Sequence, residues 1–168
     1  MENTQNKAEG LKMLKEKIKD IKVAMLTSVN ADGSLHTRPM QTQEMKDDRI
    51  LWFFTGKNSE KIAEIKNDSH VSLGYADPGS NTYVAVCGRA SLVTDQAKID
   101  ELWSEILKAW FPEGKTDPNI ALLKVSIDSA EYWDSPSSNM VQLFGMAKAM
   151  VTGEPYKPGP GEHGKINA

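Results

Sequence analysis

The sequence predicts a mainly β (α+β) domain, a six-stranded antiparallel barrel with flanking helices. Two observations carry this. Apolar, β-branched runs of strand length recur along the chain, and hairpin-type turns rather than long helices separate most of them. The runs are Val23–Val29, Leu35–Gln43, Ile50–Thr55, Val71–Tyr75, Tyr83–Val93 and Ile120–Trp133.

The elements follow in order. Leu11, Leu14, Ile18 and Ile21 recur at spacings of three and four, the stripe of an amphipathic helix. Val23–Val29 is too apolar and β-branched for a surface helix and reads as a strand. Asn30-Ala31-Asp32-Gly33 then turns the chain, because Asp-Gly supplies the positive φ of a hairpin. Leu35–Gln43 returns, and Asp47-Asp48 makes a second turn. Ile50–Thr55 is apolar on both faces and so belongs in a central position. Ser59–Lys66 is a short helix with Asn58 or Ser59 as its cap. Val71–Tyr75 ends at Asp77-Pro78-Gly79, and Tyr83–Val93 follows. Thr94-Asp95 caps a helix with Leu102, Ile106 and Trp110 on one face, which Pro112 and Gly114 end. After Ile120–Trp133, Met140–Met150 is helical.

The 168 residues suit one domain, 1–152, followed by a Gly/Pro-rich tail, 153–168, whose composition is that of a linker or frayed end. Net charge is −3, from 20 basic and 23 acidic residues, which does not mark a nucleic-acid or membrane-surface protein. The lysines between Lys7 and Lys22 alternate with Glu9, Glu16 and Asp20, as on the wet face of a helix. Cys87 is the one cysteine, so no intramolecular disulfide forms; its apolar strand context suggests a small buried hydrophobe. No run reaches membrane-spanning length, no signal-peptide pattern opens the chain, and the expected compartment is the cytoplasm.

His36, His70 and His163 are scattered without ligand-like spacing, so no metal site is expected. No nucleophile elbow, P-loop or dinucleotide glycine fingerprint occurs. The informative stretch is His36-Thr37-Arg38-Pro39-Met40 with Trp52-Phe53-Phe54-Thr55-Gly56-Lys57-Asn58-Ser59-Glu60-Lys61. Arg38 lies mid-strand, where a charge needs a partner. Thr55 ends a strand, and Ser59 and Lys61 stand at the mouth of the next helix, a place suited to an anion. Arg38 would add a forked donor for a phosphate. The plainer alternative pairs Arg38 with a surface carboxylate and makes Ser59 merely a helix cap.

These residues resemble the pyridoxamine 5′-phosphate oxidase-like superfamily of FMN-binding split barrels, and within it the general stress protein 26 branch. The matching pieces are the Asp32-Gly33 hairpin, Arg38-Pro39-Met40, Trp52-Phe53-Phe54-Thr55 with Ser59-x-Lys61, and Gly88-x-Ala90. Trp110-Phe111-Pro112-Glu113-Gly114 leading to Ile120–Val125 completes the set, and the resemblance spans roughly residues 10 to 152.

The resemblance implies a split barrel with Greek-key features and a homodimer holding FMN at the subunit interface. FAD is a possible substitute. Arg38 and Lys61 would neutralise the phosphate and Ser59 would hydrogen-bond to it. Pro39 and Met40 would lie along the ring edge, and Phe54 and Thr55 beside the ribityl chain and ring. Gln43 falls where many relatives carry a basic phosphate ligand. Trp110, Phe111 and Trp133 are candidates for an aromatic supplied by the second subunit.

No residue stands out as catalytic. The implied function is a flavin-dependent oxidoreductase acting on an unidentified small substrate, or a non-catalytic flavin reservoir or redox sensor. A pyridoxamine 5′-phosphate oxidase fits less well, since its substrate-gripping C-terminal signature is missing. A haem- or deazaflavin-binding relative is the remaining alternative.

Overall fold

The computed structural model describes residues 2–43, 45–46, 49–134, 139–155 and 162–168, with backbone alone for 2–6 and 139–145. The Asp47-Asp48 turn lies outside the described residues. Among the described residues, seven strands form one antiparallel sheet: β1 (Val23–Val29), β2 (Leu35–Gln41), β3 (Ile50–Gly56), β4 (His70–Asp77), β5 (Thr82–Val93), β6 (Ile120–Trp133) and β7 (His163–Asn167). The order is β2-β1-β4-β5-β6-β3, with β7 paired to the far half of β6. The two ends of this order meet: Thr42 bridges Phe53, and the Gln43 N–H donates to the Trp52 carbonyl at 2.9 Å. The sheet therefore curls into the split barrel of an α+β fold.

Side-chain alternation builds the interior. Ala24, Leu26 and Ser28 of β1, Val71, Leu73 and Tyr75 of β4, and Val84 and Val86 of β5 point inward. β3 is buried on both faces, as its sequence requires. Leu51 and Phe53 enter the barrel, while Trp52 joins a second apolar cluster outside it with Ile99, Leu102, Leu107 and Phe111. The same alternation overturns the buried reading of Cys87: Val84 and Val86 take the inner face, which leaves Cys87 exposed.

The Tyr75 hydroxyl meets Thr42 Oγ1 at 2.9 Å beside the barrel closure. Burial pushes this phenol up to about 12, against a smaller downward pull from Thr42. Tyr75→Phe is expected to lower the unfolding free energy by about 0.5–1.5 kcal/mol, the net worth of one hydrogen bond. Urea denaturation checks this, and no loss at all would make the contact irrelevant to stability.

Among the described residues there are four α-helices: α1 (Glu2–Ile18), α2 (Glu60–Asn67), α3 (Gln96–Leu102) and α4 (Asn139–Thr152). α1 lays Leu11, Leu14 and Ile18 on the barrel core. The third helix is shorter than predicted. Asp95 caps it by accepting the Ala97 N–H at 3.1 Å, but Trp103 and Ser104 are extended, and a 3-10 turn follows over Glu105–Ala109. That break rotates the expected apolar face. Leu102 and Leu107 are buried, whereas Ile106 and Trp110 are 65% and 64% exposed.

The C-terminal tail is the other departure. Its end, His163–Asn167, pairs with Ser129–Trp133 of β6, and Ile166 is buried in the core. Among the described residues, no helix is long and apolar enough to cross a membrane.

Candidate flavin cleft

A cleft of about 520 Å³ opens where β2, the end of β3, α2 and the 3-10 turn converge. This volume falls within the ordinary range for small-molecule sites. Pro39, Met40 and Gln41 form one wall, and Leu107, Trp110 and Phe111 the other. Phe54 stands between them, edge-on to Trp103 with centroids 6.1 Å apart and tilted against Phe111 at 6.4 Å. The strand period places these groups. Phe54 lies on the outer face of β3 with Trp52, so it reaches the cluster around Leu107 and Phe111.

One end of the cleft is polar. Lys61 Nζ donates to Thr55 Oγ1 at 3.2 Å, and Ser59 Oγ lies 3.2 Å from the same oxygen. The Ser59 hydroxyl makes no capping bond to the helix, so it is free to face Thr55. Burial lowers the Lys61 pKa, the nearby Arg38 charge lowers it further, and Glu64 raises it in part.

Behind this end lies a network that the sequence reading only half anticipated. Arg38 does find a partner. Its Nη2 donates to Glu64 Oε2 at 2.6 Å and its Nη1 to Ser28 Oγ. Ser28 in turn donates to Glu64, and His36 Nδ1 lies 2.9 Å from Glu64 Oε1. Register brings the strand members together, because Ser28 pairs with His36 and Leu26 with Arg38 across β1 and β2. Glu64 was missed. Its local signal was a carboxylate set between Ile62 and Ile65, both buried on α2.

Burial alone would push the Glu64 carboxyl up. Hydrogen bonds from Ser28, His36 and Arg38, with the Arg38 charge, outweigh it and bring the carboxyl from 4.5 to about 2. A depressed carboxylate contributes stability above its unfolded pKa and loses it as pH falls through the folded one. The parent's advantage in melting temperature over Glu64→Gln is therefore expected to be full above pH 4.5 and to shrink toward about pH 2. Parallel thermal melts test this, and a pH-independent difference would contradict it.

The cleft brings together Pro39, Met40, Gln43, Phe54, Thr55, Lys61 and Trp110 of the sequence-derived residues, with Phe111. Ser59 adjoins it through Thr55, and Arg38 is held behind it by Glu64. Trp133 lies at the opposite end of β6, stacked on His163 with centroids 5.5 Å apart, and does not line the cleft. Among the described residues, no group of His, Cys, Asp and Glu could hold a metal ion.

Barrel closure and strand order define a split-barrel protein of the α+β class with an aromatic-walled cleft at its closure. The chain belongs to the family described as pyridoxamine 5′-phosphate oxidase like, which matches residues 9–157. General stress protein 26 of Bacillus subtilis (strain 168) is 31% identical over 137 residues, covering 77% of this chain and 95% of the relative. A general stress protein 26 from Jannaschia sp. CCS1 superposes with a TM-score of 0.71 at 26% identity, covering 96% of this chain and 99% of its own. The general stress FMN/FAD binding protein of Xanthomonas citri superposes at 0.66 with 32% identity, covering 78% and 92%.

Proposed function

We propose that the cleft binds FMN and that the bound flavin serves an oxidoreductase reaction on a small substrate. The observation that carries this reading is Lys61, half-buried and donating to the Thr55 hydroxyl beside Ser59, at one end of a cleft walled by Phe54, Trp110 and Phe111. The residues fit the group. A phosphate suits the Lys61 end, and a flat ring system suits the space between Pro39, Met40 and the Phe54–Phe111 wall. The Xanthomonas citri relative, described as an FMN/FAD binding protein, supports a flavin over other flat ligands.

Bound flavin would supply hydride or electron transfer. Lys61, Thr55 and Ser59 would hold the phosphate, Pro39 and Met40 would orient the ring edge, and the aromatic wall would exclude water. No Asp, Glu, His or Cys is among the described residues lining the cleft. That lining suits a transfer needing no protein acid or base. It equally favours a second reading, a non-catalytic flavin reservoir or redox sensor.

The exposed outer face of β1 and β2, with Val23, Met25 and Leu35, and the exposed Trp110 beside the cleft support a homodimer with the flavin at its interface. A cytoplasmic location goes with this reading, where an exposed thiol such as Cys87 stays reduced.

The visible spectrum and released-cofactor mass of purified protein test the proposal. FMN bands and mass support it. A colourless protein that takes up no added FMN at micromolar concentration sinks it. Turnover with NADH or NADPH and an electron acceptor separates the enzyme from the reservoir.

A further inference from the structure

The two walls of the cleft are held in different ways. Pro39, Met40 and Gln41 belong to β2 and are locked in register with β1. Leu107, Trp110 and Phe111 belong to the segment 103–113, which has no such tie. Among the described residues, its backbone hydrogen bonds stay within the segment or reach only Gly114. The Leu107 N–H donates to Ser104, the Trp110 and Phe111 N–H groups to Leu107, and the Gly114 N–H to Phe111. The side-chain bonds of Trp103 and Lys108 to Glu105 are internal as well. Its hold on the barrel is the burial of Leu107 and Phe111, with Trp103 partly buried, in the outer cluster. Both ends are backbone joints: Trp103 and Ser104 are extended, and Gly114 takes φ +78° with open space where a Cβ would stand.

A second observation lies in the cluster that the segment covers. Trp52 is 8% exposed, and its indole N–H is buried without an acceptor among the described residues. A buried donor left unpaired raises the free energy of the packing that leaves it so. On the other side of the segment, Ile106 and Trp110 present most of their surface to water, although Trp110 lines the cleft.

We infer that the segment 103–113 is a strap that lifts from the outer face of β3 and closes again as one unit, and that it gates the cleft, with Trp110 covering the flat ligand that enters. The gate rests on the flavin reading above; the strap does not. Lifting gives up the Leu107 and Phe111 contacts, and water reaching the Trp52 N–H offsets part of that loss. Closing on a flat ring covers apolar surface that Trp110 otherwise exposes, which favours the closed form once the ligand is in place. Segments with few ties to the sheet are those that open without global unfolding.

The test is hydrogen exchange followed by NMR on the full chain, with and without saturating FMN. The chain has four tryptophans, so the Trp52 indole signal is assigned by elimination from Trp103→Phe, Trp110→Phe and Trp133→Phe variants. Without FMN, the Trp52 indole N–H and the Phe111 amide are expected to show protection within about tenfold of each other, since one opening exposes both. Both are expected to lie more than about tenfold below the slowest amides of β5 and β6, which report global unfolding. FMN is expected to raise both protections by about threefold or more, because the ligand holds the strap closed. Trp52 protection within about tenfold of the slowest sheet amides, or more than about tenfold from that of Phe111, overturns the strap. A smaller rise in a chain that does bind FMN overturns the gate. A chain that takes up no FMN overturns the flavin reading and the gate with it, while exchange without FMN still decides the strap.

Discussion

Lys61→Ala is expected to weaken FMN binding by about 1–3 kcal/mol, roughly five- to 150-fold, while leaving riboflavin binding nearly unchanged. The amine lies at the polar end of the cleft, 3.2 Å from Thr55 Oγ1. Burial and, less, the nearby Arg38 charge lower its pKa, and Glu64 offsets them in part. Truncation removes a charge-assisted donor without touching the aromatic wall. Isothermal titration with both flavins gives the comparison. Equal losses for FMN and riboflavin would mean that Lys61 shapes the cleft but does not bind the phosphate.

Gly88→Ala is expected to destabilise the fold by about 1–3 kcal/mol, at the upper end of that range, as overpacking against rigid backbone does. Gly88 lies at the irregularity where β5 and β6 shift register, Cys87 opposite Ser129 and Gly88 opposite Ile127. A Cβ there would overlap the Ser126 carbonyl oxygen and come within 3.0 Å of Val125 Cγ1. Both strands are internal to the sheet, so neither can move without disturbing its other neighbour. Chemical denaturation reports the loss. A variant as stable as the parent would show that the bulge relaxes freely.

Much of this architecture was legible because its causes are local. Gly33 adopts φ +83°, the backbone that the Asp32-Gly33 hairpin announced. The double-sided apolarity of Ile50–Thr55 announced burial on both faces, since β3 separates two clusters, but not the central position expected of it: β3 ends the strand order and owes its inner burial to barrel closure. The cleft-lining Pro39, Met40, Phe54 and Trp110 were named through the family resemblance of their motifs, which are spread along the chain. Other features depend on distant partners. Nothing near Arg38 identified Glu64, 26 residues away, as its counter-ion. The Cys87 side chain could not be assigned until β5 had a register. The break at Trp103 and Ser104 has no Gly or Pro to mark it, so the helical period ran on past its true end. The segment His163–Asn167 is short and preceded by Gly and Pro, and only its pairing with β6 makes it a strand.

That pairing has a consequence for how the molecule is made. The Ile166 side chain closes on Gly10 of α1, where a Cβ would stand 2.8 Å from it, and Lys7 Nζ reaches the Ala168 carbonyl across a separation of 161 residues. Because α1 precedes β7 along the chain, the helix completes these contacts only once β7 has docked on β6. Until then, part of its apolar stripe lacks its final cover, and contacts this far apart in sequence close slowly.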